Sequence, residues 1–140
     1  MKKTVTLAAL SAALLISAVP LVAHHAFSAE YDSQKTVTVK GKMVKFEWVN
    51  PHSWVHIEVV NPTNGQKTIW KAETPPVNVL FRNGWTKQMA EGMVAKGEVV
   101  TISGPAAKDG SNHLWAPSLT REDGSTVLGL GGAPPTDLTR

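Results

Sequence analysis

The chain has 140 residues, with 14 Lys and Arg against 11 Asp and Glu for a formal charge of +3, and it has no cysteine. Without thiols there are no disulfide staples, thiolate nucleophiles or zinc–cysteine sites, so stability must come from packing. No stripe of Lys and Arg with interleaved aromatics occurs, which argues against nucleic acid as a partner.

Met1-Lys2-Lys3, the apolar run from Leu7 to Val19, Pro20 and then Leu21-Val22-Ala23 have the form of a secretory signal peptide cut after Ala23. The run is too short to span a bilayer comfortably, and no later segment is long and apolar enough to do so. The expectation is a soluble protein exported to the periplasm. Residues 1–23 are read as the signal peptide, 24–130 as one β-barrel domain, and 131–140, rich in Gly, Pro and polar residues, as a disordered tail. Losing Lys2 and Lys3 lowers the charge to +1 and leaves 117 residues, enough for one core.

After a polar start at His24-His25, with Phe27 and Tyr31 able to pin it to the surface, Asp32 to Lys35 reads as a turn. Thr36 to Val49 reads as a long first strand whose parity changes midway, from Val37, Val39 and Met43 to Val44, Phe46 and Trp48. A one-residue bulge around Gly41 to Met43 keeps both sets on one buried side. Asn50-Pro51 makes a tight corner, because Pro51 fixes its own φ and drives Asn50 toward extended geometry. A second strand, Ser53 to Val60, then alternates, with Val55, Ile57 and Val59 on one face and Trp54, His56 and Glu58 on the other. Asn64-Gly65 is a hairpin signal, and the third strand runs from Gln66 to Thr74 with Trp70 and Ala72 toward the core.

From Pro76 the period becomes helical. Val77, Leu80 and Phe81 form one apolar stripe on a short helix that opens at Pro76 and ends at Gly84. A polar connection follows through Glu91-Gly92, with one helical turn at Thr86 to Ala90. The fourth strand spans Val99 to Ala106. The fifth, Asn112 to Arg121, is interrupted at Pro117 and is expected at an edge or bulge. A last strand runs from Thr126 to Leu130. Three strands, a helix and two more strands is the order of a small five-stranded OB-like barrel, within an all-β class with one short helix. A small β-sandwich is the alternative.

Ala23-His24-His25-Ala26-Phe27, Glu30-Tyr31-Asp32, Trp48-Val49-Asn50-Pro51-His52-Ser53-Trp54, the run from Pro76 to Trp85, and Ala107 to Ser111 together resemble a family of small secreted bacterial proteins of unknown function. The resemblance spans nearly the whole mature chain and implies export and a compact β domain. It carries no activity. At Met93 to Glu98 the sequence departs from the Leu-Lys-Pro-Gly-Asp of that family.

Several residues are candidates for chemistry. A cut after Ala23 leaves His24 first, so its α-amino group and Nδ1 form a chelate ring suited to tetragonal Cu(II). One more imidazole completes a three-nitrogen brace. The competing reading is a frayed polar terminus. His52 and His56 share a strand face but stand roughly 13 Å apart at ~3.3 Å per residue, so only one of them can join His24. The rigid corner favours His52, with His25 or His56 as substitutes, while His56 reads as an exposed-face residue. His113, beside Trp115, reads as exposed.

Trp48, Trp54, Trp85 and Trp115 exceed what a small core needs and are candidates either to line a groove for a sugar, peptide or periplasmic protein partner or to plug the ends of a small barrel. Met89 and Met93 read as core filler. Glu47, Glu58 and Glu73 lie in or beside strands without an evident carboxylate pair, and no catalytic motif appears. The leading expectation is a non-enzymatic metal-binding protein with copper as the ion. The alternative is a metal-free recognition module using its tryptophans, and an oxygen-activating brace is a third reading.

Overall fold

A computed structural model describes residues 27–129. Among them, residues 27–30 form one helical turn, followed by β1 (Tyr31–Glu47), β2 (Ser53–Val60) and β3 (Lys67–Thr74). Helices α1 (Val77–Arg82) and α2 (Lys87–Lys96) lead to β4 (Val99–Ala107), β5 (His113–Trp115), β6 (Ser118–Arg121) and β7 (Thr126–Gly129). The strand order is β1-β2-β3-β5-β4, and β4 returns to pair with β1, which closes a five-stranded barrel of the expected kind. The β6–β7 hairpin extends from β4. No helix among the described residues is long and apolar enough to cross a membrane.

The long first strand begins at Tyr31 rather than Thr36, because Tyr31 and Asp32 already pair with Ala107 and Ala106 on β4 across an irregular step at residues 33–35. The bulge falls at Val44, between Met43↔Ile57 and Lys45↔His56. Val44 is turned outward while Met43 is buried and Phe46 packs against the core, so the slip does what the parity change required. Gly41 serves a different purpose from a bulge. A Cβ there would lie 2.4 Å from the carbonyl oxygen of Glu58, so β1 and β2 can approach closely only at a glycine.

The barrel interior is filled by Val39, Met43, Val55, Ile57, Ala72, Val100, Ile102, Leu114 and Leu119. Leu80, Trp85, Ala90 and Met93 of the helical segment close one end. Here the structure corrects the sequence in two places. Where a mostly polar connection was expected, α2 runs for ten residues. The Thr86 side chain caps its first turn by accepting from the Met89 amide, Ala90 and Met93 face inward, and Gly97 ends it at φ 60°. On α1, Leu80 is buried, but Phe81 is 67% exposed and does not join the core stripe.

The expected fifth strand is two strands. Pro117 breaks it, and β5 is an interior strand rather than an edge, lying parallel to β3 and touching β4 at Ala106↔Leu114. β6 takes the rest of that side of β4. A Cβ on Gly104 would fall 1.8 Å from the Trp115 carbonyl oxygen, so β4 is glycine where β5 turns past it.

Candidate functional site

Strand alternation gathers the site on the outer wall of the barrel. Val55, Ile57, Ala72 and Leu114 point inward, so their neighbours point outward. In register, Trp54 on β2 stands opposite Glu73 on β3, and Glu73 stands beside Trp115 on β5. One row along, His56, Lys71 and His113 are aligned in the same way. His52, two residues before Trp54, reaches the same face from the Asn50-Pro51 corner, whose peptide bond is cis. The helical turn at 27–30 and the start of β1 lie over this wall. Phe27 stacks on Tyr31 at 5.2 Å and meets Trp115 edge-on at 6.0 Å.

Glu73 is the hub. It is 4% exposed although it carries a carboxylate, and a buried charge persists only when paired and hydrogen-bonded. The Tyr31 hydroxyl donates to Oε2, and Nδ1 of His52 meets Oε1. Tyr31 also lies 2.6 Å from His113 Nε2. Burial, then the bond to Glu73, pushes the Tyr31 pKa far upward, so its phenol stays protonated. With its single proton on Glu73, Tyr31 must accept from His113 Nε2–H. In the neutral ring that leaves Nδ1 of His113 as the acceptor nitrogen, and it stands 3.8 Å from Glu30 Oε1.

Ligand atoms of Glu30, Glu73 and His113 all lie within 4.8 Å of one another. Donors about 2.0–2.2 Å from one ion stand roughly 3–4 Å apart, and His113 faces the two carboxylates through different nitrogens, Glu30 through Nδ1 and Glu73 through Nε2, each at 3.8 Å. Aromatic faces surround the group, with Trp54 4.9 Å from the His113 ring and Trp115 5.8 Å from that of His52. Among the described residues the buried Trp115 Nε1 has no hydrogen-bond partner, which leaves a donor in this wall suited to a ligand oxygen.

The expected residues are distributed unevenly. His52 sits on Glu73, while His56 is directed elsewhere. His56 is 9% exposed rather than on an open face, and its Nε2 lies 2.9 Å from Glu47 Oε1 without the alignment of a hydrogen bond. His113, expected exposed, is half-buried inside the cluster. Glu30, Tyr31 and the role of Glu73 were not anticipated. Trp85 is wholly buried and donates to the Val127 carbonyl at 2.5 Å, so it belongs to the core rather than a groove. Trp115 is buried in the site wall, Trp54 flanks it, and Trp48 lies at a separate cleft. Met93 is buried and Met89 packs on the core, as read. His24 and His25, the signal segment 1–23 and the tail 131–140 lie outside the described residues.

His52 at the corner and His56 on β2 are tuned in opposite directions. The hydrogen bond to Glu73 raises the His52 pKa above the ordinary 6.5, whereas burial lowers that of His56 against the pull of Glu47. Raised in the folded state, His52 adds stability that is fully present below about pH 6.5 and is lost as pH rises through its folded pKa. His56 works the other way, because its burial penalises protonation and destabilises the fold as pH falls from about 6.5 through its lowered value. An NMR titration of the imidazole carbons should therefore show His52 titrating above and His56 below the ordinary value. Coincident curves would refute the two environments.

No curated protein matches the chain. A family model, described as a family of unknown function, matches residues 12–115. The matched span holds Glu30, Tyr31, His52, Glu73 and His113, together with β1 to β5. It covers well over half of the 140 residues, and the chain therefore belongs to the DUF6152 family of unknown function.

Proposed function

We propose that this is an exported periplasmic metal-binding protein whose ion sits at the Glu30–Glu73–His113 cluster, with His52 beside it. The observation that carries the reading is the meeting of His113 Nδ1 with Glu30 Oε1 at 3.8 Å, with Nε2 already engaged by Tyr31. A lone pair facing a carboxylate is repulsive unless a cation lies between them, and a metal ion or a proton meets that need. Imidazole and carboxylate donors suit copper, zinc or iron. Amine and imidazole nitrogens from a mature N-terminus at His24 tilt the choice to copper. Phe27 is packed at the cluster, and three residues of chain reach at most about 11 Å. The exposed side of Glu30 offers the ion a way in. Tyr31 holds the His113 ring in orientation, as partners beyond the ligands do in metal sites.

Mass spectrometry of natively exported protein should give His24 as the first residue. Titration with Cu(II), followed by electron paramagnetic resonance, should then give one nitrogen-containing tetragonal species at one equivalent. His24→Ala and His113→Ala should each weaken binding at least about tenfold, and His52→Ala less. Protein that begins at His24 and binds neither Cu(II) nor Zn(II) would leave the proton as the cation and overturn the proposal.

A further inference from the structure

A second feature lies away from the histidine cluster, on the other side of the Asn50-Pro51 corner. The loop residues Trp48 and Asn50, helix α1 and the start of α2 enclose an open cleft of about 700 Å³. Its floor is apolar, made by Trp48, Val77 and Phe81. Phe81 is 67% exposed and the neighbouring Val49 45% exposed. Asn50 ties the loop to α1 by accepting from the Val77 amide at 3.3 Å, so the two walls are held together. Exposing a phenylalanine to this degree beside other apolar side chains marks a surface made for contact rather than for the core.

The rim has one sign of charge. Among the described residues Arg82 and Lys87 line the cleft, and no carboxylate does. Arg82 has no acidic partner among the described residues, and Lys87 has only Glu91, 3.8 Å away between two exposed side chains. A pair so exposed holds its lysine weakly. Charge complementarity therefore asks for an occupant that is apolar in the middle and anionic at the edge.

We infer that this cleft docks a segment of a partner protein in which an aromatic or branched aliphatic side chain lies next to an aspartate or glutamate. The side chain enters between Trp48, Val77 and Phe81, and the carboxylate pairs with Arg82 and Lys87. An aromatic anchor in a pocket with a charged rim is the arrangement that concentrates binding energy in protein interfaces. A small-molecule site would enclose most of its ligand, whereas this cleft leaves Phe81 open on one side. A lipid surface would be met by a protruding apolar face, whereas this one is concave and carries the side-chain amides of Asn50 and Asn78. The inference is independent of the metal reading, since none of the residues is shared.

The test is selection of a random heptapeptide phage library on the mature protein, without added metal. Enriched sequences should pair an aromatic or branched aliphatic residue with Asp or Glu within two positions. Synthetic versions should shift the amide resonances of Val77, Phe81 and Arg82 and the Trp48 indole, and leave those of Glu73 and His113 in place. Both side chains are exposed, so Phe81→Ala and Arg82→Glu should leave the fold intact. Each should weaken the peptides roughly tenfold or more, about 1.4 kcal/mol, and Arg82→Glu should turn the selection toward Lys and Arg. Enrichment without acidic residues, or binding indifferent to both variants, would overturn the inference. So would co-sedimentation of the wild type, but not of Arg82→Glu, with phosphatidylglycerol vesicles when no peptide is enriched, since that assigns the cleft to a lipid surface.

Discussion

Glutamine in place of Glu73 should abolish tight metal binding while the protein remains folded. The substitution keeps the shape and one carbonyl oxygen for the Tyr31 hydroxyl but removes the carboxylate buried at the centre of the cluster. Metal affinity should fall by about 100-fold or more, since a ligand is lost and its neighbours lose their orientation. The same change should return the His52 pKa toward about 6.5, because the hydrogen bond to Glu73 is the largest cause of its rise. Two readouts thus separate the outcomes. If His52 shifts and the metal still binds, the ion sits elsewhere and the cluster is a hydrogen-bonded network only. If neither changes, the hub assigned to Glu73 is wrong. A stability loss of about 1–3 kcal/mol is expected from the amide's misplaced donors, short of unfolding a domain of ordinary stability.

Gly104→Ala should be the most damaging small substitution in the barrel. Its new methyl would stand 1.8 Å from the Trp115 carbonyl oxygen, 2.9 Å from Pro117 Cδ and 3.0 Å from the Trp115 carbonyl carbon. Two of those atoms are backbone and the third is in a proline ring, so no side-chain rotation relieves the clash, and β5 must move away from β4. The expected cost is about 3 kcal/mol or more, read as a lower urea midpoint at unchanged slope. Because β5 carries both His113 and Trp115, the surviving folded fraction should also lose metal affinity. Gly92→Ala is the counterpart. It lies within α2 with nothing within 4 Å of the added carbon, so it should stabilise by roughly 0.5–1 kcal/mol. Equal midpoints for the two variants would contradict the close crossing at Gly104.

Much of the barrel was legible residue by residue. The alternation of Val55 and Ile57 against Trp54 and His56 marked β2, Asn64-Gly65 marked the hairpin, and the parity change in β1 required a bulge, expected at Gly41 to Met43 and found just beyond it at Val44. Pro76 and Gly84 bounded α1. α2 was underread because its apolar positions are few and its cap, Thr86, sits in a polar run. Phe81 was read into the core because a stripe at i, i+3 and i+4 says which residues share a helix face, not how much of that face is covered.

The site was less legible for a related reason. Periodicity put His52, Trp54 and His56 on one parity, and the rigid corner at Pro51 favoured His52 as the partner of His24; in the structure His52 meets Glu73. Periodicity did not say which outward residues meet. That depends on β5 pairing parallel to β3, a closure across some forty residues that sets Trp115 beside Glu73 and His113 beside Lys71. It depends equally on the turn at 27–30, which carries Glu30 and Tyr31 over the same wall. By itself, then, the sequence determined the first four strands, the main turns and the small-barrel class, because backbone geometry with period two or 3.6 is a local property of the chain. The tertiary structure alone decided that two glutamates, a tyrosine and two histidines from four distant segments converge, because strand register and closure are settled by packing of the whole core.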